Sequence, residues 1–167
     1  MRVLLVDDDP VFREELTTLL SDIHHVVMAV PSVTLAITAL ERSEFDVMFT
    51  DLRTGRQSGI DLLATSRQRW PRLVVVMLTA KATVDTAIRA LELGAFDYLR
   101  KPVRPEQVQR VLELVSQQLA LTRVGAKPID PVKYATALAA EGGYEVLLIS
   151  PIPIIAPPPR EGEPSPS

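Results

Sequence analysis

The sequence has no cysteine, few aromatic residues and no long hydrophobic run. Without cysteine, the chain forms no disulfide, no thiolate metal site and no cysteine nucleophile, which fits a reducing cytoplasm. The first apolar run covers only residues 3–6 before Asp7, which is too short for a signal peptide or a membrane span. We therefore predict a cytoplasmic protein that does not contact a membrane.

An excess of positive charge is also missing, because 18 basic side chains stand against 21 acidic ones and the net charge is -3. A basic surface of the kind that binds nucleic acid is not expected from this balance. What the chain does have is apolar material, since 47% of its 167 residues are hydrophobic. That is enough for one sizeable core.

Five short apolar runs recur along the chain, rich in β-branched residues and without period-2 alternation. Such runs are typical of strands buried on both faces. Segments with helical spacing of apolar residues separate them. The alternation predicts an α/β fold with a doubly wound, five-stranded parallel sheet and helices on both faces. The five runs cover residues 3–6, 26–29, 47–49, 73–78 and 96–99.

Turn and cap residues mark the limits of the predicted helices. Asp9 followed by Pro10 predicts the start of the first helix, because the carboxylate caps free amides and proline is tolerated at the first position. Gly94 predicts the end of the fourth helix.

The composition changes near Gly125, since residues 125–167 hold nine of the fourteen prolines. We predict one domain over residues 1–123. A linker, or the start of an unidentified segment, is expected over residues 124–156, followed by a Pro-rich disordered tail over residues 157–167.

Polar residues directly follow four of the five apolar runs. In a doubly wound sheet, ligands bind beyond the carboxyl ends of the strands, where the strand order reverses. Each residue alone has an ordinary role as a cap, a turn residue or a solvated charge, but together they predict one functional site. They are Asp7 and Asp8 after the first run, Asp51 after the third, Thr79 and Ala80 after the fourth, and Lys101 after the fifth.

Three neighbouring carboxylates raise one another's pKa unless a cation is present. A hard divalent ion resolves the conflict, and we predict Mg²⁺ with Mn²⁺ as a substitute. Asp8 is the expected direct ligand and Asp7 a direct or water-mediated one, while Asp51 presents one oxygen to the metal and the other to phosphorus. Lys101 and Thr79 then hold the oxygens of a transferring phosphoryl group.

Four motifs resemble the receiver domain of two-component response regulators. The motifs are LLVDDDP at residues 4–10, FDVMFTD at 45–51, VMLTA at 76–80 and GAFDYLRKP at 94–102. The resemblance covers residues 2–123. It implies a flavodoxin-like (CheY-like) sheet with the strand order 2-1-3-4-5.

The resemblance also implies a function. Asp51 is expected to accept a phosphoryl group from a sensor histidine kinase or a histidine phosphotransfer protein. Asp7 and Asp8 bind Mg²⁺ with the backbone carbonyl of Arg53, and Lys101 contacts the phosphate. Such a domain is a signalling module that assists only its own phosphorylation and dephosphorylation, and is not otherwise an enzyme.

A conformational switch belongs to the same resemblance. Thr79, with Ala80 beside it, and Tyr98 match the switch positions, at which the hydroxyl moves to the phosphate and the ring turns inward. The bond between Lys101 and Pro102 is implied to be cis, although sequence alone favours trans.

The chain departs from the family in the loop after Asp51. Receivers usually have Met-Pro where this chain has Thr54-Gly55, which predicts a more mobile loop. Arg53 and Lys81 occupy the positions that tune how readily water removes the phosphate. We expect these two long basic side chains to prolong the phosphorylated state.

The sequence gives little indication of what the domain controls. No recognition helix, nucleotide loop or zinc pattern follows residue 124. The face formed by the fourth helix, fifth strand and fifth helix is expected to control dimerisation or partner binding, and Leu119 in the last helix is expected to need a partner outside the core.

Two other interpretations remain. Asp7-x-Asp9-x-Val11 resembles the nucleophile motif of haloacid dehalogenase-like, metal-dependent phosphatases, which would make Asp7 the phosphorylated residue. The final acidic pair expected after Lys101 is absent from the sequence. A purely structural interpretation treats the acids as helix caps and predicts no affinity for magnesium.

Overall fold

The computed structural model describes residues 1–81 and 83–123, together with two short strands further on. The predicted linker over residues 124–156 and the predicted disordered tail over residues 157–167 therefore lie almost wholly outside the described residues. The elements are β1 (Arg2–Val6), α1 (Pro10–Asp22), β2 (Val26–Val30), α2 (Val33–Arg42), β3 (Val47–Asp51), β4 (Arg53–Thr54), β5 (Gln57–Ser58), α3 (Gly59–Arg69), β6 (Val74–Thr79), α4 (Val84–Glu92), β7 (Asp97–Arg100), α5 (Pro105–Arg123), β8 (Glu145–Leu147) and β9 (Ile154–Ala156).

Five strands form one parallel sheet in the order β2-β1-β3-β6-β7. The short strands β4 and β5 pair only with each other, as do β8 and β9. Counting the five strands of the large sheet along the chain gives the order 2-1-3-4-5. The predicted fold class and strand order are confirmed.

Two apolar layers cover the sheet, one on each face. The first joins the sheet to α2, α3 and α4, and the second joins it to α1 and α5. Side chains of β1 alternate between the layers, so that Leu4 faces the first and Leu5 the second, and both are fully buried. Burial on both faces explains why the central strands read as continuous apolar runs.

The expectation that every apolar run is buried on both faces is wrong for β2. Val26 and Met28 keep 68% and 43% of their surface exposed. β2 lies at one edge of the large sheet, with β1 as its neighbour. Edge position alone does not expose a strand, because β7 at the other edge is buried from Asp97 to Leu99. Sequence pattern alone does not distinguish an edge strand from a central one.

The predicted helix limits are confirmed. The carboxylate of Asp9 accepts hydrogen bonds from the backbone N–H groups of Val11 and Phe12, and Pro10 is the first residue of α1. Gly94 follows α4 with a φ of 91°, in the left-handed region that a residue with a Cβ rarely adopts.

Two details go beyond the expectations from sequence. The loop after Asp51 is a short antiparallel hairpin in which β4 pairs with β5 and Gly55 turns with a φ of 63°, and its greater mobility stays a prediction. Leu119, expected to need an outside partner, is partly buried against the layer that joins α1 and α5 to the sheet. In the described part of the chain, no helix is long and apolar enough to cross a bilayer.

Candidate functional site

Two carboxylates and one ammonium group meet at the carboxyl edge of the sheet. Lys101 Nζ donates to Asp51 Oδ2 at 2.5 Å and also to Asp7 Oδ2. Asp7 follows β1, Asp51 ends β3 and Lys101 follows β7. Parallel strands end at the same edge, which brings together residues up to 94 positions apart.

Burial differs sharply between the two carboxylates. The side chain of Asp7 is fully buried, whereas 14% of the Asp51 side chain is exposed. Of the two, Asp51 is therefore the carboxylate that a reactant can reach. Its second oxygen, Oδ1, accepts the backbone N–H of Arg53 at 3.0 Å, which fixes the plane of the carboxylate.

The shared lysine affects the charged groups unequally. Burial raises the pKa of Asp7, and the hydrogen bonds from Lys101 and from the backbone of Asp9 offset this only in part. Burial by itself lowers the pKa of Lys101, but Asp51 and Asp7 outweigh it, so its pKa lies above the ordinary value. Two carboxylates stabilise the charged form of the Lys101 ammonium. The two carboxylates, in contrast, share this one cation, and each has the negative charge of the other beside it.

The third predicted metal ligand, Asp8, contacts the hairpin that follows β3. Its Oδ2 accepts the backbone N–H of Gly55 at 2.9 Å, so the hairpin β4–β5 holds it. Among residues 1–81 and 83–123, no three acidic or other ligating side chains lie together as a ready metal cluster. Asp7 and Asp51 meet at Lys101, and Asp8 binds the hairpin. A metal site shared by all three carboxylates stays a prediction.

The donor set nevertheless suits a divalent cation. Three carboxylates and one ammonium leave a local charge of -2, and hard oxygen donors are what Mg²⁺ prefers. The hydrogen bond from Gly55 uses only one oxygen of the Asp8 carboxylate, so the second oxygen is left for a cation. The role of the Arg53 carbonyl as a ligand stays a prediction.

Gly59 keeps the backbone of Asp51 close to the start of α3. A Cβ built on Gly59 would lie 1.9 Å from the carbonyl oxygen of Asp51, far inside van der Waals contact. The N–H of Gly59 donates to the carbonyl of Leu52 at 2.9 Å, and the N–H of Leu52 donates to the carbonyl of Leu78 in β6 at 2.8 Å. Only glycine fits at this position.

A comparison with protein families matches residues 3–113 to the response regulator receiver domain. The chain belongs to this family. Receiver domains are signalling domains that interact with histidine kinases or phosphotransfer proteins, and the family generally uses Mg²⁺ for phosphorylation.

Named relatives agree with the family. The chain is 37% identical over 126 residues to the alginate biosynthesis transcriptional regulatory protein AlgB of Pseudomonas putida, covering 75% of this chain and 28% of AlgB. It is 40% identical over 131 residues to the response regulator protein PilR of Pseudomonas aeruginosa, covering 77% of this chain and 29% of PilR. The chain thus spans less than a third of the length of these relatives.

A solved structure supports the same fold. The signal receiver domain of a LuxO repressor-like protein from Vibrio parahaemolyticus superposes with a TM-score of 0.70 at 27% identity, covering 75% of this chain and 97% of that one. The phosphatase alternative finds no support in the family match or in these relatives. The burial of Asp7 also speaks against it as a nucleophile.

The remaining receiver positions lie beside the acidic site. Thr79 ends β6 and is 3% exposed, and its hydroxyl accepts the backbone N–H of Lys81 at 3.1 Å. The neighbouring Ala80 is exposed, as are the side chains of Arg53 and Lys81. The bond between Lys101 and the following proline, Pro102, is cis.

Tyr98 differs from the simplest expectation for a receiver switch. Its ring is already buried, with 5% of its surface exposed, and packs in the layer that contains Ala90 of α4. Its hydroxyl lies 2.8 Å from the hydroxyl of Thr86. Thr86 forms a capping box with Thr83 at the start of α4, so Tyr98 contacts the first turn of that helix directly.

Sequence reasoning missed several residues that build this receiver site. Gly59 had a readable signal, because a glycine just before a helix often marks a close backbone approach. Phe12, whose ring lies under the Lys101 ammonium, and Arg13, which donates to the carbonyl oxygen of Asp7 at 2.7 Å, had none. The contact of Phe12 depends on how α1 lies against the segment after β7, and that of Arg13 on how α1 lies against the end of β1.

Proposed function

We propose that Asp51 accepts a phosphoryl group from a histidine kinase or a histidine phosphotransfer protein in a magnesium-dependent reaction. The supporting observation is the contrast at the carboxyl edge of the sheet. Asp51 is a partly exposed carboxylate with an ammonium group against it, beside a second carboxylate that is fully buried. Of this pair, only Asp51 has side-chain surface that a donor can contact.

The chemistry is a direct transfer. A carboxylate oxygen of Asp51 forms a bond to phosphorus while the bond from phosphorus to the donor's imidazole nitrogen breaks and its electron pair stays on that nitrogen. Lys101, whose Nζ lies 2.5 Å from Asp51 Oδ2, would contact a phosphoryl oxygen. Bound Mg²⁺ would neutralise charge on the transferring group. Asp7, Asp8, Asp51 and the carbonyl of Arg53 are its proposed ligands.

The response to phosphorylation would pass through Thr79 and Tyr98. A phosphoryl group on Asp51 would attract the Thr79 hydroxyl, which now accepts the N–H of Lys81. Movement of residues 79–81 would favour the buried position of Tyr98 and its hydrogen bond to Thr86. The start of α4 would then be held in place. We propose that the face formed by α4, β7 and α5 then controls homodimerisation or partner binding.

The lifetime of the phosphorylated form would depend on Arg53 and Lys81. Both side chains are exposed, on the segments that follow β3 and β6 at the site. We propose that they hinder in-line attack by water. The double variant Arg53→Ala/Lys81→Ala should lose phosphate several-fold faster than the native chain, and an unchanged rate of dephosphorylation would count against this role.

The phosphorylation itself is tested by intact mass after incubation with acetyl phosphate and Mg²⁺. The native chain should gain one phosphoryl group, and Asp51→Asn should gain none. Asp51→Asn also separates the receiver from the phosphatase alternative, because a phosphoryl group on Asp7 would be retained in that variant. Equal labelling of the native chain and Asp51→Asn would refute the assignment.

A further inference from the structure

The ammonium group of Lys101 lies over the face of an aromatic ring. Its Nζ is 4.1 Å from the centroid of the Phe12 ring, while it also donates to Asp7 and Asp51. Only 13% of the Lys101 side chain is exposed. Two carboxylates and one ring face therefore enclose the cation on three sides, where water would otherwise lie.

The position of the ring is fixed by the first turn of α1. The carboxylate of Asp9 accepts the N–H of Phe12 at 3.2 Å, and Pro10 occupies the first helical position. Phe12 also packs against the layer between α1, α5 and the sheet. A capped turn and a packed ring give the lysine a rigid neighbour.

Phe12 and the cation attract each other through the negative face of the ring. Such contacts strengthen when the ammonium is desolvated, as it is here. A lysine stem has many rotamers, and a reaction that relies on its head group gains when that head group is held in place beforehand. A ring is a neutral surface, so it can hold the ammonium without competing with the phosphoryl oxygens for its N–H groups, as a third carboxylate would.

We propose that Phe12 is a positioning residue for phosphorylation, which holds the Lys101 ammonium against Asp51 through a cation–π contact. This inference rests on the proposed phosphorylation of Asp51. The ring touches neither the donor nor the transferred group, and it acts through Lys101.

The test replaces Phe12 in the full chain with phenylalanines that carry one, two and three ring fluorines. Fluorination withdraws the negative charge from the ring face with little change of shape. The rate of labelling by acetyl phosphate and Mg²⁺ should fall stepwise, reaching about 5-fold at three fluorines. Phe12→Leu should be at least as slow, and Phe12→Tyr should keep most of the rate.

The matched control is the same series at Phe45. Its ring faces Arg2 at 5.7 Å at the opposite end of the sheet, so fluorination there should leave the labelling rate unchanged. A second measurement does not depend on phosphorylation. In the proton NMR spectrum, the ε-methylene protons of Lys101 should shift upfield in the native chain relative to Phe12→Leu, because of the ring current.

Each outcome is decisive. A flat fluorine series in a chain that is labelled on Asp51 overturns the role of Phe12 and leaves the proposed function standing. A native chain that is not labelled at all overturns both. Absence of the ring-current shift also overturns the inference, whereas a graded series at residue 12 with no effect at residue 45 supports it.

Discussion

Replacing Gly59 by alanine should damage the site by adding a single methyl group. The new Cβ would lie 1.9 Å from the Asp51 carbonyl oxygen and 3.3 Å from the carbonyl carbon of Leu52. Real Cβ atoms essentially never approach within 3.0 Å, so α3 and the end of β3 must separate by about 1 Å. The hydrogen bond from Gly59 to Leu52 would lengthen with them.

The size of the loss follows from two terms. Overpacking of a well-packed contact costs about 1–3 kcal/mol, and loss of one backbone hydrogen bond costs about 1 kcal/mol. Gly59→Ala should therefore lower the free energy of unfolding by about 2–4 kcal/mol. Because Leu52 is held by Leu78 in β6, part of the strain should reach Asp51 and slow its phosphorylation.

Gly55→Ala is the matched control. Gly55 has a φ of 63°, but its Cβ would meet Asp8 Oδ2 at an ordinary 3.9 Å. The cost should be only the strain of a left-handed alanine, about 1–2 kcal/mol. Urea unfolding followed by circular dichroism gives both free energies, and labelling by acetyl phosphate gives the rates. A Gly59→Ala variant that matches the native chain in both would refute this reasoning.

Three further outcomes are expected from the charged and hydroxyl groups. Asp7→Asn should raise the urea midpoint at pH 7 and abolish stabilisation by Mg²⁺. The pKa of Asp7 in the folded chain is raised above 3.8, so this group lowers the free energy of unfolding as pH rises from 3.8 through the folded pKa. Lys101, whose folded pKa lies above 10.5, should contribute stability up to pH 10.5 that is lost above it in alkaline unfolding, and Lys101→Met should lack this step. Thr86→Val and Tyr98→Phe should show a coupling of about 1 kcal/mol in a double-mutant cycle, and additive losses would show that their 2.8 Å contact is not energetically significant.

Sequence reasoning succeeds at the carboxyl edge of the sheet. Asp7, Asp51, Thr79 and Lys101 each follow a run that reads as a buried strand, and parallel strands end at one edge. Four separate strand ends therefore predict one site without any knowledge of distance. Pro10 and Gly94 likewise mark helix limits because their backbone preferences are local.

What sequence reasoning missed depended on neighbours distant in the chain. The exposure of Val26 and Met28 in β2 depends on what packs against that strand in the folded sheet, which its own residues do not encode. Asp8 binds Gly55, a residue 47 positions away, and no pattern around Asp8 indicates that partner.

The sequence by itself determined the order of strands and helices, the family and the residue types of the site, since each is set by local periodicity, backbone preference or motif. Only the tertiary structure decided that Lys101 lies between Asp7 and Asp51, that Phe12 lies under it and that Tyr98 is already buried against α4. Such contacts join side chains from different elements, and their geometry is fixed by how helices pack on the sheet.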